Sequence, residues 1–237
     1  MTSKEKIFYL TLTNKGYIEY TENLLASIEA NKSKINLNIF ALDEESFLYF
    51  NEKTSTIKLT DEKKNITEFK EQTDGEFGYL MLCKFKAIHN SLLNEDLVTY
   101  IDGDITIKKD FDGILLNNIE HRDILFQNDK RPSKPNEEKL CAGFMCIKSN
   151  NKTKKIFEPT DKLENLFMNY KTHDQTYLNK NKNKFNYGVL PLEKFPNGPY
   201  FYSNFGNFDP WMIHFNFLLG HEKKKKMKEY GEWYLNT

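Results

Sequence analysis

An excess of charge of either sign is missing from this chain: 34 lysines and arginines meet 34 aspartates and glutamates, so the formal net charge is zero. A nucleic-acid-binding protein normally shows a basic excess, so no nucleic-acid partner is expected without a local basic patch. Long hydrophobic runs are lacking too. The most apolar stretches, such as 79–83 and 215–219, fall far short of the roughly 20 residues that a membrane-spanning helix needs. No transmembrane segment is expected. The opening Met1-Thr-Ser-Lys-Glu5 leads into a strand at Ile7 without the apolar core or small-residue cleavage site of a secretory signal, which points to a cytoplasmic protein. Cysteine is scarce and odd in number. Cys83, Cys141 and Cys146 are separated by 57 and then four residues, which fits no common zinc spacing. Buried, reduced thiols are the expectation. Asn31-Lys-Ser, Asn65-Ile-Thr and Asn151-Lys-Thr match the glycosylation-acceptor pattern, but that pattern matters only in a secretory compartment.

What is present is aromatic. Nineteen Phe, 13 Tyr and two Trp in 237 residues supply large apolar bodies, so a sizeable core is within reach although only 39% of the chain is hydrophobic. The length suits one large α/β domain or two intimately packed halves. Residues 7–12 read as a strand, Thr13-Asn-Lys-Gly16 as a turn, and Tyr17, Leu24, Leu25 and Ile28 as one side of a helix. Residues 37–42 read as a second strand ending in Asp43, followed by a short helix at 47–50 and a third strand near 56–59. The charged stretch 61–75 reads as a surface excursion. Leu80, Cys83, Ala87, Ile88 and Leu92 keep helical spacing, and Leu97-Val-Thr-Tyr-Ile101 is a compact buried strand. This alternation predicts a mostly parallel, doubly wound sheet over at least the first half. Beyond Asp129 come a loop from Arg131, a strand at 142–148, a helix at 162–170, a polar loop at 180–184 and a less regular aromatic remainder. The division that follows is a nucleotide-type half, 1–129, and an irregular half, 130–237, sharing one body.

Ligands of open α/β sheets sit outside the carboxyl ends of strands, which directs attention to Thr13, Asn14, Asp43, Asp102 and Asp104. Asp102-Gly103-Asp104 follows a five-residue apolar strand. Two carboxylates separated by a glycine can face one divalent cation of the Mg²⁺ or Mn²⁺ kind, which in turn holds a diphosphate; a turn with solvated aspartates is the alternative. Downstream, His214 follows a short apolar strand and can serve as a third metal ligand, while Gly220 and Lys223 can meet phosphate through a backbone N–H and an ammonium. A satisfied core histidine is the alternative for His214. A solvated helix face or a polybasic membrane contact is the alternative for Lys223–Lys226.

Taken in order, Thr11-Leu12-Thr13-Asn14-Lys15-Gly16-Tyr17, Asp102-Gly-Asp104, Ala142-Gly143-Phe144, Asp174-Gln175-Thr-Tyr-Leu178-Asn179 and the His214 segment resemble the motif series of retaining nucleotide-diphospho-sugar glycosyltransferases of GT-A fold. The glycogenin-like and galactosyl- or xylosyl-transferase groups look nearest, and the likeness runs from Ile7 to Trp233. The resemblance implies one α/β domain of GT-A, Rossmann-like type, with a mostly parallel sheet flanked by helices. It also implies a UDP-sugar donor, Mn²⁺ or Mg²⁺, and a hydroxyl acceptor on a glycan, protein or small molecule. By it, Leu12, Thr13, Asn14 and Tyr17 surround uracil and ribose. Asp102 meets ribose and metal, Asp104 and His214 complete the metal ligands, and Lys223 meets the diphosphate. Lys84, with Lys86 as a substitute, contacts the donor; Gly143 lines the sugar pocket; Asp174 and Gln175 lie beside the reacting sugar. As plain structural residues, Lys84 is an exposed helix lysine and Asp174 favours a helix N-terminus.

Two departures stand out. Glycogenin-like enzymes carry His-X-X-Gly-X-X-Lys, whereas five residues separate His214 from Gly220, leaving open which of lysines 223–226 meets phosphate. Cys141 stands where the family often has Asn, which touches sugar preference. Two other functions share these residues: Asp102-Gly-Asp104-Ile-Thr106 also fits the nucleophile loop of haloacid-dehalogenase-like phosphatases, and a non-catalytic nucleotide-sugar-binding module would keep the same cleft.

Overall fold

Buried strands without alternation set the architecture. In the computed structural model, which describes residues 6–58, 77–131, 133, 138–169 and 172–235, β1 (Phe8–Thr13) is followed by a 3₁₀ turn at Lys15–Tyr17 and α1 (Ile18–Ala30). Then come β2 (Leu37–Ala41), α2 (Glu44–Asn51), β3 (Thr56–Lys58), α3 (Phe77–Asn94) and β4 (Leu97–Ile101). Every residue of β2 and β4 is buried, the signature of strands covered on both faces. The predicted surface excursion at 61–75 lies outside the described residues.

The second part of the chain continues with β5 (Ile105–Ile107), α4 (Asp112–Ile119), β6 (Ile124–Asn128) and β7 (Leu140–Lys148). Next are α5 (Asn151–Phe157), α6 (Asp161–Asn169), α7 (Asp174–Lys180) and β8 (Tyr187–Val189). The chain closes with α8 (Gly198–Ser203), β9 (Met212–His214) and α9 (Gly220–Glu229). The main sheet has the order β3-β2-β1-β4-β7-β6-β8. Six strands run one way, and β7 alone opposes them, between β4 and β6. The expected mostly parallel sheet is present, and the later part of the chain is more regular than its composition suggests: β7, nine residues long and buried over eight of them, enters the centre of the sheet. The expected polar loop at 180–184 is instead the end of α7 and a 3₁₀ turn at Lys182–Lys184.

Successive side chains point to opposite faces of a strand, and both faces are filled. On one, Leu10, Val98, Tyr100 and Phe126 pack under α3, α5, α6 and α7; on the other, Tyr9, Leu97, Ile101 and Phe144 pack under α1, α4 and the β5–β9 pair. All three cysteines are buried thiols, as expected. Among the described residues, no helix is long and apolar enough to cross a membrane.

Phe85 on α3 is fully buried and sits 4.9 Å from the ring of Phe157, 5.2 Å from Phe167 and 5.6 Å from Tyr177, so one side chain ties four helices together. Phe85→Ala is expected to cost about 3–5 kcal/mol, read as a lower urea midpoint at unchanged slope; a loss below about 1 kcal/mol would show that the helices close around the gap.

Candidate active site

The ends of two strands converge on three residues of metal-ligating type, two carboxylates and an imidazole. Asp102 and Asp104 follow β4, and His214 ends β9. The antiparallel β5–β9 pair puts Ile105 opposite His214, and the Phe215 N–H donates to the Asp104 carbonyl at 3.1 Å. His214 Nε2 is thereby 3.2 Å from Asp104 Oδ1 and 3.8 Å from Asp102 Oδ2, with one ligand atom from each residue within 4.8 Å of the others. Burial opposes a charged imidazole, but the Asp104 carboxylate outweighs it and holds the His214 pKa well above its usual value. Burial likewise opposes a charged Asp104, and Lys223 with His214 outweighs it, holding that carboxyl far below the usual range.

The donor set fits a divalent cation that favours oxygen with one nitrogen. A second observation agrees. A Cβ built on Gly143 would collide with His214 Cε1 and lie 2.6 Å from Asp102 Oδ2, so glycine is what permits these ligands to close together. The ladder produces this placement: β7 leaves β6 after Met145 and rejoins it at Cys141, while the Asp102 N–H donates to the Gly143 carbonyl at 2.8 Å.

A cleft of about 850 Å³ opens over this group. Leu12, Thr13, Asn14 and Tyr17, at the end of β1 and just beyond it, line one wall; Asp102, Gly103 and Asp104 form the floor; Lys84, Gly143, Asp174, Gln175, His214 and Lys223 complete the expected set. Gly220 is the exception. It is not among the lining residues; it starts α9 at φ +43° and offers its carbonyl to the Tyr20 hydroxyl at 3.0 Å. That left-handed turn aims α9 so that Lys223 reaches Asp104 Oδ2 at 2.6 Å. Lys224 and Lys226 pair instead with Glu19 and Glu229, and of lysines 223–226 it is Lys223 that lines the cleft. Asp43, noted for its place after a strand, caps α2 through the Ser46 N–H (2.8 Å) and also accepts the Lys15 N–H (2.7 Å).

Lys84 is buried rather than exposed. Its ammonium lies 2.7 Å from Asp174 Oδ2, 3.3 Å from Asp102 Oδ1 and 4.2 Å from the Tyr100 ring centroid. Burial disfavours the cation, yet Asp102 and Asp174 outweigh burial and raise its pKa. Asp174 does begin α7, but it also takes the Gln175 N–H on Oδ1 at 2.7 Å, so both its oxygens are engaged. Gln175 bridges the cleft wall: Oε1 accepts the Ala142 N–H at 3.3 Å, and Nε2 donates to Asp129 at 2.9 Å.

Asp129 escapes the sequence reading. It is buried in the cleft and also receives the Asn216 amide at 3.0 Å and Lys139 at 3.2 Å. Its only linear signal is an acid closing an apolar strand before a loop. Gln127, 2.7 Å from His214 Nδ1, was missed as well, though a glutamine inside the run Ile124-Leu-Phe-Gln-Asn is a signal. At the rim, Phe217 adopts φ +63°, rare for an aromatic residue, with the Arg131 guanidinium 4.3 Å from its ring centroid.

Comparisons with known proteins bear on the family and the fold. A family model described as nucleotide-diphospho-sugar transferase matches residues 35–229. The UDP-galactose:fucoside alpha-3-galactosyltransferase of Dictyostelium discoideum is 24% identical over 290 residues, a match covering 98% of this chain and 44% of that relative. The chain therefore spans less than half of that protein's length. Among solved structures, the glycosyltransferase GlyE of Streptococcus pneumoniae TIGR4 superposes with a TM-score of 0.64 at 14% identity, covering 99% of this chain and 61% of that one. The galactosyltransferase LgtC, in complex with donor and acceptor sugar analogs, gives 0.58 at 11%, covering 98% of each. These likenesses establish the fold.

Gly143→Ala is expected to weaken divalent-cation affinity by about 10-fold or more while leaving the far-ultraviolet spectrum intact, because the added methyl meets only the ligands. Calorimetric titration with Mn²⁺ measures it; unchanged affinity would remove Gly143 from the ligand set's geometry.

Proposed function

The chain belongs to the nucleotide-diphospho-sugar transferase family, and from that premise we propose that it transfers a hexosyl or pentosyl group from a UDP-sugar to a hydroxyl acceptor, with retention of configuration. The observation that carries this reading is one cleft that gathers a metal-ligand trio, Asp102, Asp104 and His214, a lysine, Lys223, 2.6 Å from Asp104, and the acid and amide side chains of Asp174 and Gln175. Asp102, Asp104 and His214 would hold Mn²⁺ or Mg²⁺. When bound, such a cation supplies Lewis-acid stabilisation of the leaving diphosphate.

In this reading the wall at the end of β1 holds the nucleoside: Leu12, Thr13 and Asn14 flank uracil and ribose, and Tyr17 stacks on the base. Lys223 lends positive charge to the departing diphosphate, an electrostatic contribution placed before the reaction begins. Asp174, both of whose oxygens already accept bonds, orients and stabilises the sugar rather than attacking it. Gln175, pinned between Ala142 and Asp129, presents a fixed amide to the same sugar. The acceptor hydroxyl then forms its C–O bond on the face from which phosphate departs, and its proton passes to the leaving phosphate oxygen. The Asn216 amide, 4.0 Å from Cys141 Sγ, supplies polar character beside the cysteine that stands where an asparagine is usual. The acceptor side is assigned to residues 130–237, at the rim formed by Phe217 and Leu219, which expose 40% and 56% of their surface, while residues 1–129 form the nucleotide side of one GT-A domain. Three buried thiols suit a reducing, cytoplasmic setting.

The phosphatase alternative has no comparable support. Its nucleophile would be Asp102, whose carboxylate is already shared between Lys84 and His214.

UDP release with Mn²⁺ across a panel of UDP-sugars, with mass spectrometry of the product, tests the reading. Asp104→Ala is expected to lower release by about 10²–10³-fold; wild-type release by that variant, or aryl-phosphate hydrolysis by the wild type, would defeat it. Phe217→Ala is expected to reduce transfer to the acceptor while leaving acceptor-free UDP release unchanged, and equal loss of both would remove Phe217 from the acceptor side.

A further inference from the structure

Gln127 sits in the middle of the apolar strand β6 and has no exposed surface at all (0%). A buried primary amide must place two donors and one acceptor, and here the surroundings leave one arrangement. Nε2 donates to the backbone carbonyls of Pro196 at 2.8 Å and Phe195 at 3.2 Å. Carbonyl oxygens only accept, so the amide nitrogen has to face them, and Oε1 has to face His214. The orientation, usually a matter of assignment, is imposed here by two acceptors.

Oε1 lies 2.7 Å from His214 Nδ1. Since Oε1 also only accepts, Nδ1 has to carry a proton; a bare Nδ1 would set two lone pairs against each other at that distance. The ring's remaining nitrogen, Nε2, is the one directed at Asp104 and Asp102. We infer that Gln127 is a positioning residue that keeps a proton on His214 Nδ1 and so offers Nε2, in a fixed ring orientation, to the divalent cation. The inference rests on reading Asp102, Asp104 and His214 as a metal site. The break in the β6–β7 ladder between Phe126 and Gln127 gives the glutamine its access, since residues 142–144 leave β6 at that point.

A purely structural role competes with this one, because Pro196 O also accepts the His214 N–H at 3.2 Å, and Gln127 anchors that segment to the sheet. Leucine at 127 removes both functions. Glutamate keeps an acceptor for the Nδ1 proton but cannot donate to the Phe195 and Pro196 carbonyls. In the full chain, Mn²⁺ affinity read by electron paramagnetic resonance is expected to fall about 10- to 100-fold in Gln127→Leu, the usual range for losing a metal ligand's hydrogen-bond partner, and to recover in Gln127→Glu. In ¹⁵N-histidine-labelled wild type, a protected Nδ1–H proton of His214 is expected, and its loss in Gln127→Leu. Equal weakening in both variants, undiminished affinity in Gln127→Leu, or no protected Nδ1–H in the wild type would overturn the inference. Failure of the wild type itself to bind Mn²⁺ would instead overturn the metal reading and this inference with it.

Discussion

The ladder between β5 and β9 joins residue 105 to residue 214, and the chemistry of the cleft depends on that tie. Asp104 stands immediately before β5, and His214 is the last residue of β9, so three residues of antiparallel pairing bring a carboxylate and an imidazole together across the chain. The hydrophobic effect holds the pair in place: Ile105, Ile107 and Met212 are fully buried with Phe111 and Phe144. Position 143 has to be glycine for the same reason, since β7 passes so close to this pair that a methyl group would meet its side chains.

Around that tie, charge is arranged by burial. Lys84 and Lys223 each face a carboxylate on the cleft floor, and Lys84 also bonds Asp174. Removing water from such groups is expensive, and breaking one buried partner typically costs about 3–5 kcal/mol. A cleft built this way is preorganised: Lys84 and Lys223 are held in place by the carboxylates they face. The chain's zero net charge thus conceals a local separation of charge. Asp129, in the same cleft, gathers Lys139, Gln175 and Asn216 from three separate stretches of the chain.

Legibility differed from residue to residue for physical reasons. The Asp102-Gly-Asp104 turn, the Asp174-Gln175 pair and the segment after β1 are local patterns, readable because each follows a strong strand or opens a helix. Lys84 lies in the cleft where a donor-side residue was expected, but its burial between two aspartates follows from α3 packing on the sheet. Asp43 occupies a position in the chain like that of Asp102, yet the turn at Lys15 and the start of α2 consume its oxygens. Gly220, expected at phosphate, lies outside the cleft lining and bends the backbone at a positive φ. Gln127 and Asp129 were missed because, Lys139 apart, their partners lie between 46 and 87 residues away.

From the sequence alone came the alternating strands and helices, the buried β4 with its paired carboxylates, and the ordered motifs that point to nucleotide-sugar transfer. Those features are set by nearest-neighbour chemistry: hydrophobic period, turn residues and short-range spacing. Tertiary structure decided that β7 lies between β4 and β6, that Lys223 rather than its neighbours reaches the floor, and that Gln127 faces His214. Such choices depend on which distant backbones come within about 3 Å of each other, a distance set by packing across the sheet and not by any local run of residues.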